Sequence, residues 1–186
     1  MALTAQEIRR LTDEILRELT GQMPNTDMAE PAPARAQPQK DRWLCDTVEE
    51  AVSTAKAAQE ALAELPLERR AELVEAMRNA AIENARSLAA LAHEETGYGH
   101  TEDKIQKNLL AAKRTPGVED LPTKAFTGDT GMTLVELAPF GVIGSITPST
   151  NPTSTIINNS ISMIAAGNSV VFNPHPSAIM LMLLLI

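Results

Sequence analysis

The feature that most constrains this chain is the stretch Ala138–Pro152, APFGVIGSITPSTNP, taken with Asn168–Pro176, NSVVFNPHP. Val142, Ile143 and Ile146 form an apolar, β-branched run that suits a strand buried on both faces. Pro148 stops that run. Asn151 stands directly before Pro152, a pair that reads as a helix start, with Asn capping free amides and Pro at the first helical position. Thr153–Ala166 carries Ile156, Ile157, Ile161, Ile164 and Ala165 at helical spacing, and Gly167-Asn168 closes the helix. Val170, Val171 and Phe172 form a second strand, ended by Pro174 and Pro176. Strand, loop, helix and strand in this order predict a βαβ unit of the nucleotide-binding kind.

Upstream, three zones differ in composition. Thr4–Leu19 reads as an amphipathic helix: Leu3, Ile8, Leu11, Ile15 and Leu19 share a stripe, and Glu7, Arg9, Arg10, Asp13, Glu14 and Arg17 fill the rest. Thr4 and Glu7 form a capping box, and Gly21 ends the element. Residues 22–42 hold Pro24, Pro31, Pro33 and Pro38 among Ala, Gln and charges, a composition that cannot bury a core and reads as a disordered linker. A short helix on such a tether makes sense if its stripe docks elsewhere, so residues 1–21 are expected to be a docking peptide, with packing on the chain's own globular part as the alternative. The globular part runs over residues 43–186. In it, Asp46–Leu65 reads as an Ala-rich helix with Val48, Val52, Ala55 and Leu62. Leu67–Glu95 reads as one longer helix with Leu73, Val74, Met77, Ala81, Leu88 and Leu91 inward. Thr101–Arg114 reads as a third, Gly128–Gly131 as a turn and Met132–Leu137 as a strand.

The formal charge of −8 argues against nucleic acid or an anionic membrane as a broad partner. A single Cys excludes an intrachain disulfide and suits a reducing compartment. The longest apolar run, Ala178–Ile186, is far shorter than the roughly 18–20 residues that span a bilayer. It reads as a helix start, and its place at the end of the chain as the mark of a fragment. His93, His100 and His175 lack metal-ligand spacing, so no metal site is expected. Glu49-Glu50 and Glu94-Glu95 read as solvated helix faces.

The segment resembles the first part of the cofactor domain of the aldehyde dehydrogenase superfamily. It is most similar to the CoA-acylating enzymes of bacterial microcompartments, the propionaldehyde and acetaldehyde types. The resemblance rests on EETGYGHTEDKIQKN at Glu94–Asn108, TPGVEDL at Thr115–Leu121 and TGDTGMTLVELAPFGVIGSITPSTNP at Thr127–Pro152, and runs from about Trp43 to Ala178. TPGVEDL and APFG lean towards the propionaldehyde type. The family places two lysines after the position of Ala178, where Ile179 and Met180 stand here.

The resemblance implies an α/β fold: N-terminal helices, then the first part of a doubly wound, Rossmann-like cofactor domain, incomplete in this chain. It implies NAD as cofactor, coenzyme A as co-substrate and a small aldehyde, converted with them to acyl-CoA and NADH. Ligands in such sheets lie beyond the carboxyl ends of the strands. The expected cofactor-binding residues are therefore Thr147, Pro148, Ser149, Asn173, Pro174, His175 and Pro176. No G-x-G-x-x-G is present, and the family does without one. A family Asn stabilises the oxyanion formed when a thiolate attacks the aldehyde. Laid on Pro148–Pro152 without a gap, the family pattern puts Thr150 at that position, with Asn151 one residue later, so Thr150 and Asn151 are both candidates.

The reaction also needs a nucleophilic Cys. Cys45, at the linker's end beside Asp46, is an unfavourable place for a thiolate, and the family's Cys belongs to a later domain. The chain alone is expected to be inactive. The resemblance further implies that residues 1–21 act as an encapsulation peptide towards a shell or partner enzyme. The implied location is the cytoplasm, in a microcompartment lumen, and the full-length relative is expected to be a homo-oligomer. Two other readings stay open: a catalytically dead, truncated packing component, and a non-acylating aldehyde dehydrogenase that releases acid.

Overall fold

The computed structural model describes residues 44–179. The expected docking helix (residues 1–21), the linker (22–42) and the apolar run from Met180 onward lie outside them. Four helices come first: α1 (Val48–Ala63), α2 (Leu67–Glu83), α3 (Ala85–Thr96) and α4 (Thr101–Arg114). A 3-10 turn at Val118–Asp120 leads to an antiparallel hairpin of β1 (Lys124–Gly128) and β2 (Gly131–Val135). The βαβ unit follows: β3 (Val142–Thr147), α5 (Pro152–Ala165) and β4 (Ser169–Pro174), with β3 and β4 parallel.

Helix α1 begins two residues later than the sequence suggests. Thr47 is its cap, and its side chain accepts from the Glu50 amide at 3.1 Å. Ala55 and Leu62 are buried, whereas Val48 and Val52 are 72% and 43% exposed. The expected single helix Leu67–Glu95 is two helices. Asn84 breaks it, at φ −96° and ψ 4°, with its side-chain Nδ2 donating back to the Ala80 carbonyl. An Asn that bonds its own backbone competes with helix propagation, and neither Gly nor Pro marks the site. Of the expected inward residues, Leu73 is exposed, while Val74, Ala81 and Leu88 are buried. Gly97, at φ 70°, closes α3 in the left-handed conformation.

The main core lies among α2, α4 and α5. Val74 and Ala81 meet Ala112, Ile157, Ile161 and Ala165, with Met77 and Ile164 against them. Small residues on α2 and α4 bring the isoleucine face of α5 close. Arg78 crosses the end of α4, where its guanidinium donates to the Ala112 and Thr115 carbonyls at 2.6 and 2.7 Å. Two otherwise orphaned helix-end carbonyls are thereby satisfied.

The βαβ unit forms as expected, with one correction. β3 is not buried on both faces. Ser145 and Thr147 are buried on the side of α5, where Asn159 Nδ2 donates to Ser145 Oγ at 2.9 Å, but Ile146 on the other face is 82% exposed. Helix α1 packs on the sheet as well, and its Ala58 and Leu62 share an apolar groove of about 440 Å³ with Ser169. The arrangement is the opening part of a doubly wound α/β domain, with two parallel strands among the described residues. The hairpin has no covered side either: Phe126 is 61% exposed on one face, and Met132 and Leu134 are 64% and 58% exposed on the other. No helix among the described residues is long and apolar enough to cross a membrane.

Candidate functional site

The parallel register pairs Thr147 with Pro174, so the loops leaving β3 and β4 start side by side. Thr147, Pro148, Ser149, Thr150 and Asn151 follow one strand, and Asn173, Pro174, His175 and Pro176 end the other. The sheet thus gathers both halves of the sequence-derived set at its carboxyl edge. Thr147 is 1% exposed, and its Oγ1 has no hydrogen-bond partner. A buried hydroxyl without a partner is costly unless something outside the described residues completes it. Pro148 and Thr150 are exposed and Ser149 is half-buried. That combination fits a dinucleotide resting on the strand ends. Asn173 is exposed. His175 is spent locally: its Nδ1 accepts from the Ser177 amide at 3.1 Å and caps a short 3-10 turn, Pro176–Ala178.

Asn151 stands before α5 as the sequence predicts, with Pro152 in the first turn and the Thr155 amide bonded to the Asn151 carbonyl at 3.1 Å. Its side chain does not cap the helix. The amide points to α4 instead. Lys107 Nζ donates to Asn151 Oδ1 at 3.1 Å, and Asn151 Nδ2 lies 3.4 Å from Thr150 Oγ1. A charged donor outcompetes the backbone amides for that oxygen.

Two neighbouring residues of α4 hold the same loop. Lys104 is 5% exposed, and its Nζ donates to the Thr150 carbonyl at 3.1 Å. Burial, and then the nearby Lys107, lower the Lys104 pKa from the ordinary lysine value. Asn108 is fully buried. Its Oδ1 accepts from Thr153 Oγ1 at 2.7 Å, and its Nδ2 donates to the Ala85 carbonyl at 3.2 Å. Lys104, Lys107 and Asn108 occupy one helical face by their spacing of three and four. The sequence reading did not single them out as site residues. The available signal was a lysine, Lys104, on the same stripe as buried Ile105 and Ala112: a cation on an inward face needs an acceptor.

Cys45 is half-buried just before α1. Among the described residues, no group of three or more His, Cys, Asp and Glu lies close enough to hold a metal ion.

Residues 23–186 match the model of the aldehyde dehydrogenase family. An acetylating acetaldehyde dehydrogenase of Bilophila wadsworthia is 46% identical over 178 residues, which cover 96% of this chain and 36% of that protein. The solved propionaldehyde dehydrogenase of Rhodopseudomonas palustris, with bound CoA and an acylated cysteine, aligns with a TM-score of 0.75 and 50% identity over 77% of this chain and 33% of that one. The propionaldehyde dehydrogenase of the Clostridium phytofermentans fucose-utilisation microcompartment aligns with a TM-score of 0.74 and 48% identity over 77% and 33%. The chain spans about a third of the length of the proteins it matches.

Proposed function

This chain belongs to the aldehyde dehydrogenase family, and from that premise we propose that it forms part of a CoA-acylating aldehyde dehydrogenase. The reaction is aldehyde, CoA and NAD to acyl-CoA and NADH. The nicotinamide cofactor supplies the hydride acceptor, and the CoA thiol takes the acyl group. This chain's residues supply a crevice and a donor. The observation that carries the reading is the Thr147–Asn151 loop, held at the carboxyl edge of the parallel strands with the Asn151 amide drawn off its capping position.

The strand-end backbone and the loop after Thr147 would bear the dinucleotide. Asn151 Nδ2 would donate to the oxygen that becomes negative when a thiolate adds to the aldehyde. A fixed donor of this kind lowers the barrier by about 3–4 kcal/mol. Thr150, the other candidate, has an exposed side chain whose Oγ1 lies at the long limit of a hydrogen bond to that same amide, so Asn151 is the better donor. The nucleophile is assigned to sequence other than Cys45.

Residues 1–21 are proposed to dock to a microcompartment shell or a partner enzyme, which would place the protein in the lumen. The resemblance of the helix-and-linker pattern to encapsulation peptides supports this, as does the microcompartment origin of one structural neighbour. The whole enzyme is proposed to be a homo-oligomer. The test is product analysis on a full-length enzyme carrying these residues. Acyl-CoA and NADH should appear in equal amounts and only when CoA is present. Carboxylic acid formed at the same rate without CoA would assign the non-acylating reaction instead.

A further inference from the structure

We propose that Lys107 is a positioning residue that fixes which end of the Asn151 amide faces the substrate. The inference rests on the reading of Asn151 as an oxyanion donor. A primary amide carries an accepting oxygen and a donating nitrogen on one flat group, and a half-turn exchanges them. Only the nitrogen can stabilise a negative oxygen. An ammonium donates and never accepts, so the end that Lys107 holds at 3.1 Å has to be Oδ1. Nδ2 is left on the side of Thr150, and its one partner there, Thr150 Oγ1, is 3.4 Å away. The donating end is therefore the weakly engaged end.

The same helix holds the backbone on either side of Asn151. Lys104 Nζ takes the Thr150 carbonyl at 3.1 Å, and Asn108 Oδ1 takes the Thr153 hydroxyl at 2.7 Å. With the chain pinned before and after it, the amide keeps one freedom, rotation about its own side-chain bonds, and Lys107 removes that. The charge acts on strength as well as direction. A cation on the amide oxygen draws electron density from the nitrogen and makes its hydrogens better donors. Lys107 is exposed apart from this bond, so its replacement leaves the core untouched.

The experiment compares Lys107→Met, Lys107→Arg, Asn151→Ala and Lys107→Met with Asn151→Ala, in a full-length CoA-acylating enzyme carrying residues 44–179 of this chain. Lys107→Met is expected to lower kcat about tenfold, with the aldehyde KM within about twofold. Lys107→Arg, also a donor only, is expected to restore most of the rate. On the Asn151→Ala background, Lys107→Met is expected to cost nothing more, because its only route to the reaction is gone.

In the 186-residue chain, the side-chain amide NMR signals of Asn151 should move with Lys107→Met and return with Lys107→Arg. If Asn151→Ala abolishes turnover and Lys107→Met leaves kcat unchanged, the positioning role is wrong and the oxyanion reading stands. If Asn151→Ala leaves kcat unchanged, the oxyanion reading fails and the inference with it. An equal loss from Lys107→Met on both backgrounds, or a loss that Arg does not repair, would also overturn the inference, because Lys107 would then act through something other than the amide.

Discussion

Asn108 is where the stability of the helical layer and the shape of the site meet, and Asn108→Leu separates the two. The substitution keeps the branching and heavy-atom count of a fully buried side chain, adds the bulk of two methyl groups, and removes both of its hydrogen bonds. The bond to the Ala85 carbonyl is worth about 1 kcal/mol net, since that oxygen also has the helical ladder to serve. The Thr153 hydroxyl is the larger loss. It is 2% exposed and donates to Asn108 Oδ1 at 2.7 Å, so it is stranded at about 1–3 kcal/mol. The sum is about 2–4 kcal/mol, a large share of the roughly 5–15 kcal/mol that holds a domain together.

Urea unfolding of the dilute 186-residue chain, followed by far-ultraviolet circular dichroism, measures it. The second half of the test is Thr153→Val, which deletes the stranded hydroxyl. Added to Asn108→Leu it is expected to recover about 1–2 kcal/mol, whereas alone it is destabilising. A cost below about 1 kcal/mol for Asn108→Leu, or no recovery in the double variant, would refute the reasoning that this buried pair ties α4 to α5.

Three further outcomes follow from the same geometry. Burial lowers the folded pKa of Lys104 below that of the unfolded chain, so the unfolded state binds the proton more tightly and stability rises with pH. The gain begins at the folded pKa and is complete near the ordinary lysine value of 10.5. The stability of the native chain minus that of Lys104→Met should therefore climb through the alkaline range, and a flat or falling difference contradicts the assignment. Gly167 sits at φ 81°, and a Cβ there would lie 3.2 Å from Arg70 Nη1. Gly167→Ala is expected to cost about 1–2 kcal/mol in the same unfolding assay, against a gain if the position were unstrained. Leu11→Glu with Ile15→Glu places two charges on the apolar stripe of residues 1–21. In cells that make shells, a fluorescent protein fused to those residues should then turn from punctate to diffuse, and unchanged puncta would remove the docking role.

The βαβ unit was legible because its punctuation is local. Asn151-Pro152, Gly167-Asn168 and Pro174 mark ends that depend on backbone chemistry within a few residues, and the structure places the elements within a residue or two of them. The break at Asn84 was not legible, since Asn in a helical pattern is tolerated as often as it interrupts, and only its bond to Ala80 decides. The strand Lys124–Gly128 was missed because five exposed residues, KAFTG, carry no alternation; pairing with β2 defines it. The exposure of Ile146 reverses a correct rule: parallel strands are buried on both faces when the whole sheet is present, and two strands are described here. The place of the loop at the carboxyl edge of the strands was readable, but the partner of Asn151's side chain was not. A capping Asn and one drawn off by a lysine 44 residues away have the same local sequence.

The most direct test of the account is the rate of acyl-CoA formation by Cys45→Ser in a full-length enzyme carrying these residues. The crevice and the oxyanion donor are proposed for residues 147–176 and the nucleophile for other sequence. Cys45→Ser is expected to keep the full rate while Asn151→Ala loses about 10²–10³-fold. Abolition of acyl-CoA formation by Cys45→Ser, with the unfolding midpoint unchanged, would contradict it.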